Sequence, residues 1–151
     1  MLTTRVALAA VLGALIGVAR GGEEQKVTAL QPAQLRTLTR HLPATTYYPE
    51  FALTRHLQGR LLIEFHLDET GYPVAARIIK SDADAILQAT ALRLVQGTRY
   101  DLGSFDIDPG TVFHTTVMYC LDHCAEDVDY AGADTVVQIS GSEAPTRYAR
   151  R

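Results

Sequence analysis

Residues 60–67 alternate without a break. Leu61, Ile63, Phe65 and Leu67 share one side; Arg60, Leu62, Glu64 and His66 share the other. A period of two over eight residues predicts a half-buried strand. Asp68-Glu69-Thr70-Gly71 follows as turn chemistry, with glycine where a positive φ is needed. Residues 72–81 alternate again through Val74, Ala76 and Ile78, with Pro73 tolerated near the start. The two runs read as a β-hairpin. After Ser81 the period lengthens. Ile86, Leu87, Thr90, Ala91, Leu94 and Val95 fill one side of a helix that Ser81 or Asp82 can cap and Gly97 ends. Asp84 falls in its first turn, where the helix dipole favours an anion. Residues 99–110 read as a loop, from Gly103, Asp108, Pro109 and Gly110. A third strand spans 111–121, with Thr111, Phe113, Thr115, Val117, Tyr119 and Leu121 at alternate positions.

Shorter patterns flank these. Leu35, Leu38 and Leu42 predict a short helix over 32–42, stopped by Pro43. Pro49 opens a second short helix over 49–58, with Gly59 as its C-cap. Residues 21–34 read as a loose lead-in, and 134–140 as a short fourth strand through Val136, Val137 and Ile139. The order predicts an α+β fold, a small three- to four-stranded antiparallel sheet with one or two helices packed on one face.

The first 19 residues stand apart. One charge, Arg5, precedes an apolar run over 6–19 that ends in Gly17-Val18-Ala19. A charged start, an apolar middle and a small-residue end are the parts of a secretory signal. The run is shorter than the roughly 20 residues a spanning helix needs. The expected organisation is a signal peptide over 1–19, a lead-in over 20–46, a domain over 47–124 and an acidic tail over 125–151. An uncleaved anchor is the alternative.

Composition narrows the function. The chain has 151 residues, 47% hydrophobic and 21% charged, which excludes wholesale disorder. Its net charge of −3 argues against a nucleic-acid binder. The second half is markedly acidic: Asp101, Asp106, Asp108, Asp122, Glu126, Asp127, Asp129, Asp134 and Glu143 occur before the next basic residue, Arg147. That pattern reads either as a solvated surface or as a face steering a basic partner. No nucleophile elbow, phosphate loop or dinucleotide fingerprint is present, so no enzyme is read here. Cys120 and Cys124 suggest a disulfide in an exported protein. Residues four apart in an extended strand lie roughly 13 Å apart, and a bridge needs Cα atoms within about 7 Å. The bridge therefore requires a turn at Leu121-Asp122-His123. The rival is a metal site from Cys120, His123 and Cys124 with His114, whose spacing is unfamiliar for zinc.

In order along the chain, the pieces resemble the C-terminal domain of the TonB family of periplasmic energy transducers. Tyr48-Pro49 resembles its opening Tyr-Pro. Gly59 with Leu61, Ile63, Phe65 and Leu67 resembles its glycine and alternating strand. Asp68 through Gly71 is similar to its hairpin turn, and Ile78 to Ser81 to the end of its second strand. Ala91, Leu92 and Val95 resemble its Ala-Leu-x-x-Val helix. Thr98-Arg99-Tyr100 stands where the family has Trp-Arg-Phe or Trp-Arg-Tyr, and Leu102 where a proline is usual. The long Pro-rich spacer of a transducer is missing: only Pro32, Pro43 and Pro49 lie between the apolar run and the domain.

The resemblance implies binding by strand addition, in which main-chain groups supply most of the contact. The edge it implies is the third strand, Thr111, Phe113, Thr115, Val117, Tyr119 and Leu121. Residues 134–140 are a candidate cover for that edge; a covered and an open edge both stand at this point. The reading is a non-enzymatic, periplasmic protein-binding module without cofactor or metal. Its partner is an outer-membrane transporter peptide or another envelope protein. The alternatives are a transducer or accessory anchored in the inner membrane by the apolar run, a small thiol or metal-binding protein, and a dimer through the same edge.

Overall fold

The computed structural model describes residues 28–44, 46–122, 124 and 132–141. Its centre is a four-stranded sheet in the order β4-β3-β7-β8, formed by β3 (Gly59–Leu67), β4 (Pro73–Ser81), β7 (Phe113–Leu121) and β8 (Thr135–Gly141). The first three strands are antiparallel neighbours; β8 joins β7 in parallel. The α+β class therefore stands, and the sheet is mixed where a purely antiparallel one was expected. A hairpin into a parallel strand is impossible, so the chain must cross over between Leu121 and Thr135.

The β3–β4 hairpin forms as its alternation predicts. Asp68 Oδ1 accepts from Thr70 N at 2.9 Å, Thr70 Oγ1 at 2.6 Å and Tyr72 N at 3.0 Å. These bonds hold the Asp68 carboxyl below its ordinary pKa, Thr70's side-chain bond most of all. Gly71 takes φ +85°, and an added Cβ would collide with the carbonyl oxygen of Tyr100.

The helix α2 (Ala85–Gly97) starts two or three residues later than a Ser81 or Asp82 cap would place it. Asp84 is the N-cap and accepts from Ile86 N at 3.0 Å. Its buried residues, Leu87, Ala91, Leu94 and Val95, belong to the predicted stripe. Gly97 is the last helical residue, and the cap is Thr98, whose buried hydroxyl donates to Leu94 O at 2.7 Å. The position where the resemblance implies a tryptophan is thus a polar helix cap. The core behind it is built instead from Phe65, stacked between Tyr100 at 6.1 Å and Phe113 at 5.9 Å.

Three local expectations change. Residues 32–42 form only a 3-10 turn (Pro32–Thr37), because the next residues pair as β2 (Arg40–His41) with β5 (Arg99–Tyr100). The lead-in is not loose where it is described: β1 (Thr28–Ala29) pairs in parallel with β6 (Phe105–Asp106), and Leu30 and Leu35 are fully buried. The second short helix is α1 (Glu50–Thr54), and His56 makes the left-handed exit turn at φ 54°. Gly59 is no C-cap. It opens β3 where Ala83 passes so close that a Cβ would sit 2.6 Å from Ala83 Cα. The signal-like residues 1–19 and most of the acidic tail lie outside the described residues. Among the described residues no helix is long and apolar enough to cross a membrane.

Candidate functional site

The third strand is not an edge. β7 pairs with β3 along one side, from Phe65↔Phe113 to Gly59↔Tyr119. Along the other it pairs with β8 in seven consecutive register pairs, Thr115↔Thr135 through Leu121↔Gly141. This corrects the partner-binding edge expected at Thr111, Phe113, Thr115, Val117, Tyr119 and Leu121. Thr111 precedes the strand, and its carbonyl meets His66 Nδ1 at 2.9 Å. Phe113, Thr115, Val117 and Tyr119 are at most 2% exposed. Leu121 is half-buried, and its N–H donates to Gln58 Oε1 at 2.9 Å. Their side chains and main-chain groups are committed to the fold. Proline at Thr115 or Thr116 would therefore remove ladder bonds within the sheet, on one side or the other.

Among the described residues the sheet has two edges, β4 and β8. β4 starts at Pro73 and breaks register twice against β3, with Ala75 in the left-handed region at φ 52°. Bulges, a proline and a lysine (Lys80) are the usual means of blunting an edge. β8 runs unbroken. Three contacts show which way its main chain faces. Thr135 O lies 3.3 Å from the Thr115 hydroxyl, and Gly141 O accepts from Asp122 N at 3.1 Å, both on the β7 side. Val136 O instead accepts from Arg40 Nη2 at 2.8 Å. N–H and C=O groups alternate sides along a strand, so the outward groups are those of Val136, Gln138 and Ser140. Arg40 occupies the first of these. Gln138 and Ser140 are exposed.

Polar clamps hold β8 in place. Asp134 Oδ2 accepts from His114 N at 2.7 Å, and Asp134 N donates to His114 O at 2.8 Å. The Thr135 hydroxyl donates to the buried Thr115 hydroxyl at 2.9 Å. The apolar side chains of Val137 and Ile139 complete the core. At the far end Cys120 and Cys124 are bridged, with Cα atoms 5.2 Å apart. The turn that permits this is at Asp122, φ 62°, within the triplet where the spacing required it. With both sulfurs bonded to each other, the Cys–His–Cys metal set is not assembled in this state; His123 lies outside the described residues.

One strand histidine, His114, meets a charge network. Arg77, Glu64 and His114 are cross-strand neighbours in register. Arg77 Nη2 lies 2.6 Å from Glu64 Oε1, and His114 Nε2 lies 3.4 Å from Glu64 Oε2. The Arg77 hydrogen bond is the main reason the Glu64 carboxyl sits below its ordinary pKa. His66 stays outside this row. Arg40 and Gln58 had no signal in the sequence as β8 and β7 clamps, because each acts on main chain far away in sequence. Asp134 had one weak signal, a carboxylate immediately before an alternating run.

Against this geometry, the family model described as the Gram-negative bacterial TonB protein C-terminal matches residues 44–119. Two solved structures of the Helicobacter pylori TonB C-terminal domain are similar. One, of residues 179–285, is 20% identical with a TM-score of 0.42, over 54% of this chain and 74% of that one. The other, of residues 194–285, is 24% identical with a TM-score of 0.32, over 46% and 71%. No curated protein matches the chain.

Proposed function

The chain belongs to the Gram-negative bacterial TonB protein C-terminal family, and on that premise we propose that it is a non-enzymatic protein-binding module of the cell envelope that takes an extended partner segment as an added strand. The observation that carries this reading is the contrast between the two sheet edges. β4 is bulged, whereas β8 is regular and turns the main chain of Gln138 and Ser140 outward. A partner strand pairing there needs no special side chain. The partner is an outer-membrane transporter peptide or another envelope protein, and the compartment is the periplasm. The Cys120–Cys124 bridge supports an oxidising location.

Titration with transporter-derived peptides, followed by calorimetry, tests the proposal. Gln138→Pro and Ser140→Pro each delete an outward amide, so both should abolish binding while leaving the melting temperature within a few degrees. Binding that survives both changes refutes the β8 edge, and no binding by any transporter peptide refutes the transporter partner.

The second reading, an anchored transducer or accessory, rests on the apolar run over residues 6–19. N-terminal sequencing of the natively expressed chain separates the two. A soluble chain that begins near Arg20 disposes of the transducer; an intact Met1 in the inner-membrane fraction supports it.

A further inference from the structure

The lead-in places two arginines at the start of the outward edge of β8. A hollow of about 260 Å³ there has Leu35, Leu38 and Val136 as its apolar walls and Arg36 and Arg40 as its cations. A cavity of roughly 150 Å³ takes benzene, so the hollow has room for one side chain.

The two arginines are held differently. Arg40 is half-buried; its Nη2 donates to Val136 O at 2.8 Å, and the Tyr100 hydroxyl lies beside it. The bond to Val136 spends one of the five N–H groups that a guanidinium carries. Arg36 is exposed in the last turn of the 3-10 element and makes no hydrogen bond or ion pair among the described residues. Neither guanidinium lies within ion-pair distance of a described carboxylate. Asp134, next to Thr135, is turned to the β7 side, where it accepts from His114 N at 2.7 Å. Two unneutralised cations therefore face one hollow with apolar walls, and an anion placed between them relieves their repulsion.

The position of the hollow along the ladder indicates what carries that anion. A strand pairing with Gln138 and Ser140 uses outward groups about 7 Å apart, two residues along the strand. One step further it reaches Val136, whose carbonyl Arg40 already fills. The ladder ends there, and the next side chain of the added strand meets guanidinium groups. Resting on the strand addition at β8 argued above, we propose that the added segment is acidic at this step, its Glu or Asp side chain entering the hollow and its carboxylate joining Arg36 and Arg40. An arginine pairs with a carboxylate through two parallel N–H groups. Arg40 is already fixed by Val136 O, so it loses little freedom on pairing.

The test uses the full chain and blocked peptides of about eight residues, a usual strand length. They are built from Thr, Val and Ser with a single Glu scanned along them, each beside a twin with Gln in its place, and are read by calorimetry. At low salt the best Glu peptide should bind at least about tenfold more tightly than its Gln twin. The difference should shrink at about 0.5 M salt, where exposed charges are screened. Arg36→Gln, at an exposed position with no structural bond, should remove at least half of the preference on a logarithmic scale and leave the Gln twin unchanged; Arg40→Gln should do the same. Gln138→Pro should abolish binding of both peptides. Equal binding of the twins, lost in Gln138→Pro, overturns the acidic step while strand addition stands. A Glu preference that survives Gln138→Pro overturns strand addition and this proposal with it, as does the absence of binding by any peptide at millimolar concentration. Sedimentation with phosphatidylglycerol vesicles that depends on Arg36 and Arg40, without a Glu preference among the peptides, overturns it in favour of a lipid surface.

Discussion

Val137→Pro is the sharpest test of the parallel β8. Val137 is 6% exposed and stands opposite Val117 in the β7–β8 register. By the alternation that turns Thr135 O and Gly141 O inward, its N–H faces β7. Proline removes that donor and leaves a buried β7 carbonyl without its partner, a loss of about 1–3 kcal/mol. The ring also pushes against the strand in a position where proline is not tolerated. The expected destabilisation is about 2–4 kcal/mol. For a domain of 60–100 residues each kcal/mol moves the midpoint by about 4–8 °C, so a fall of at least about 8 °C is expected. Gln138→Pro is the matched control. Its N–H faces outward and its side chain is exposed, so its cost is within about 1 kcal/mol. Thermal melts followed by far-UV circular dichroism, with urea titrations as a check on two-state behaviour, read both variants. Equal melting of the two would refute the assignment of inward and outward faces. Two silent variants would show that β8 contributes nothing to the sheet.

Two further outcomes follow from the same geometry. Gly71→Ala combines a left-handed φ with a collision against the Tyr100 carbonyl; chemical denaturation should show a loss of at least about 2 kcal/mol. Glu64 titrates below its ordinary value in the folded chain, chiefly through Arg77. Its contribution is therefore present above the ordinary glutamate pKa of about 4.3 and is lost as the pH falls through the lower folded value. Glu64→Gln should flatten the acid side of a stability-against-pH profile measured from pH 2 to 7, and an unchanged slope there contradicts the Arg77 pairing.

Some of this was fixed by neighbours in sequence. The alternation from Arg60 to Leu67, the Asp68–Gly71 turn and the stripe from Leu87 to Val95 are local patterns, and each became the element it predicted. The spacing of Cys120 and Cys124 demanded a turn, and Asp122 supplies it. The α+β class and the family resemblance rest on these same local features in order, which is why they were legible without a structure.

What the sequence could not decide depends on distant partners. Residues 134–140 read as a strand, but period two is the same for a parallel and an antiparallel neighbour. Only the crossover after Leu121 sets the direction, and only pairing with β7 makes Phe113–Leu121 an inner strand. The two-residue strands β1, β2, β5 and β6 are too short to carry a period, and they exist because the lead-in and the 99–106 segment meet in space. Gly59 looked like a helix end, yet it is needed for the close passage of Ala83. Hydrophobic periodicity reports which side of an element is buried; which element buries it is settled by contacts between residues tens of positions apart.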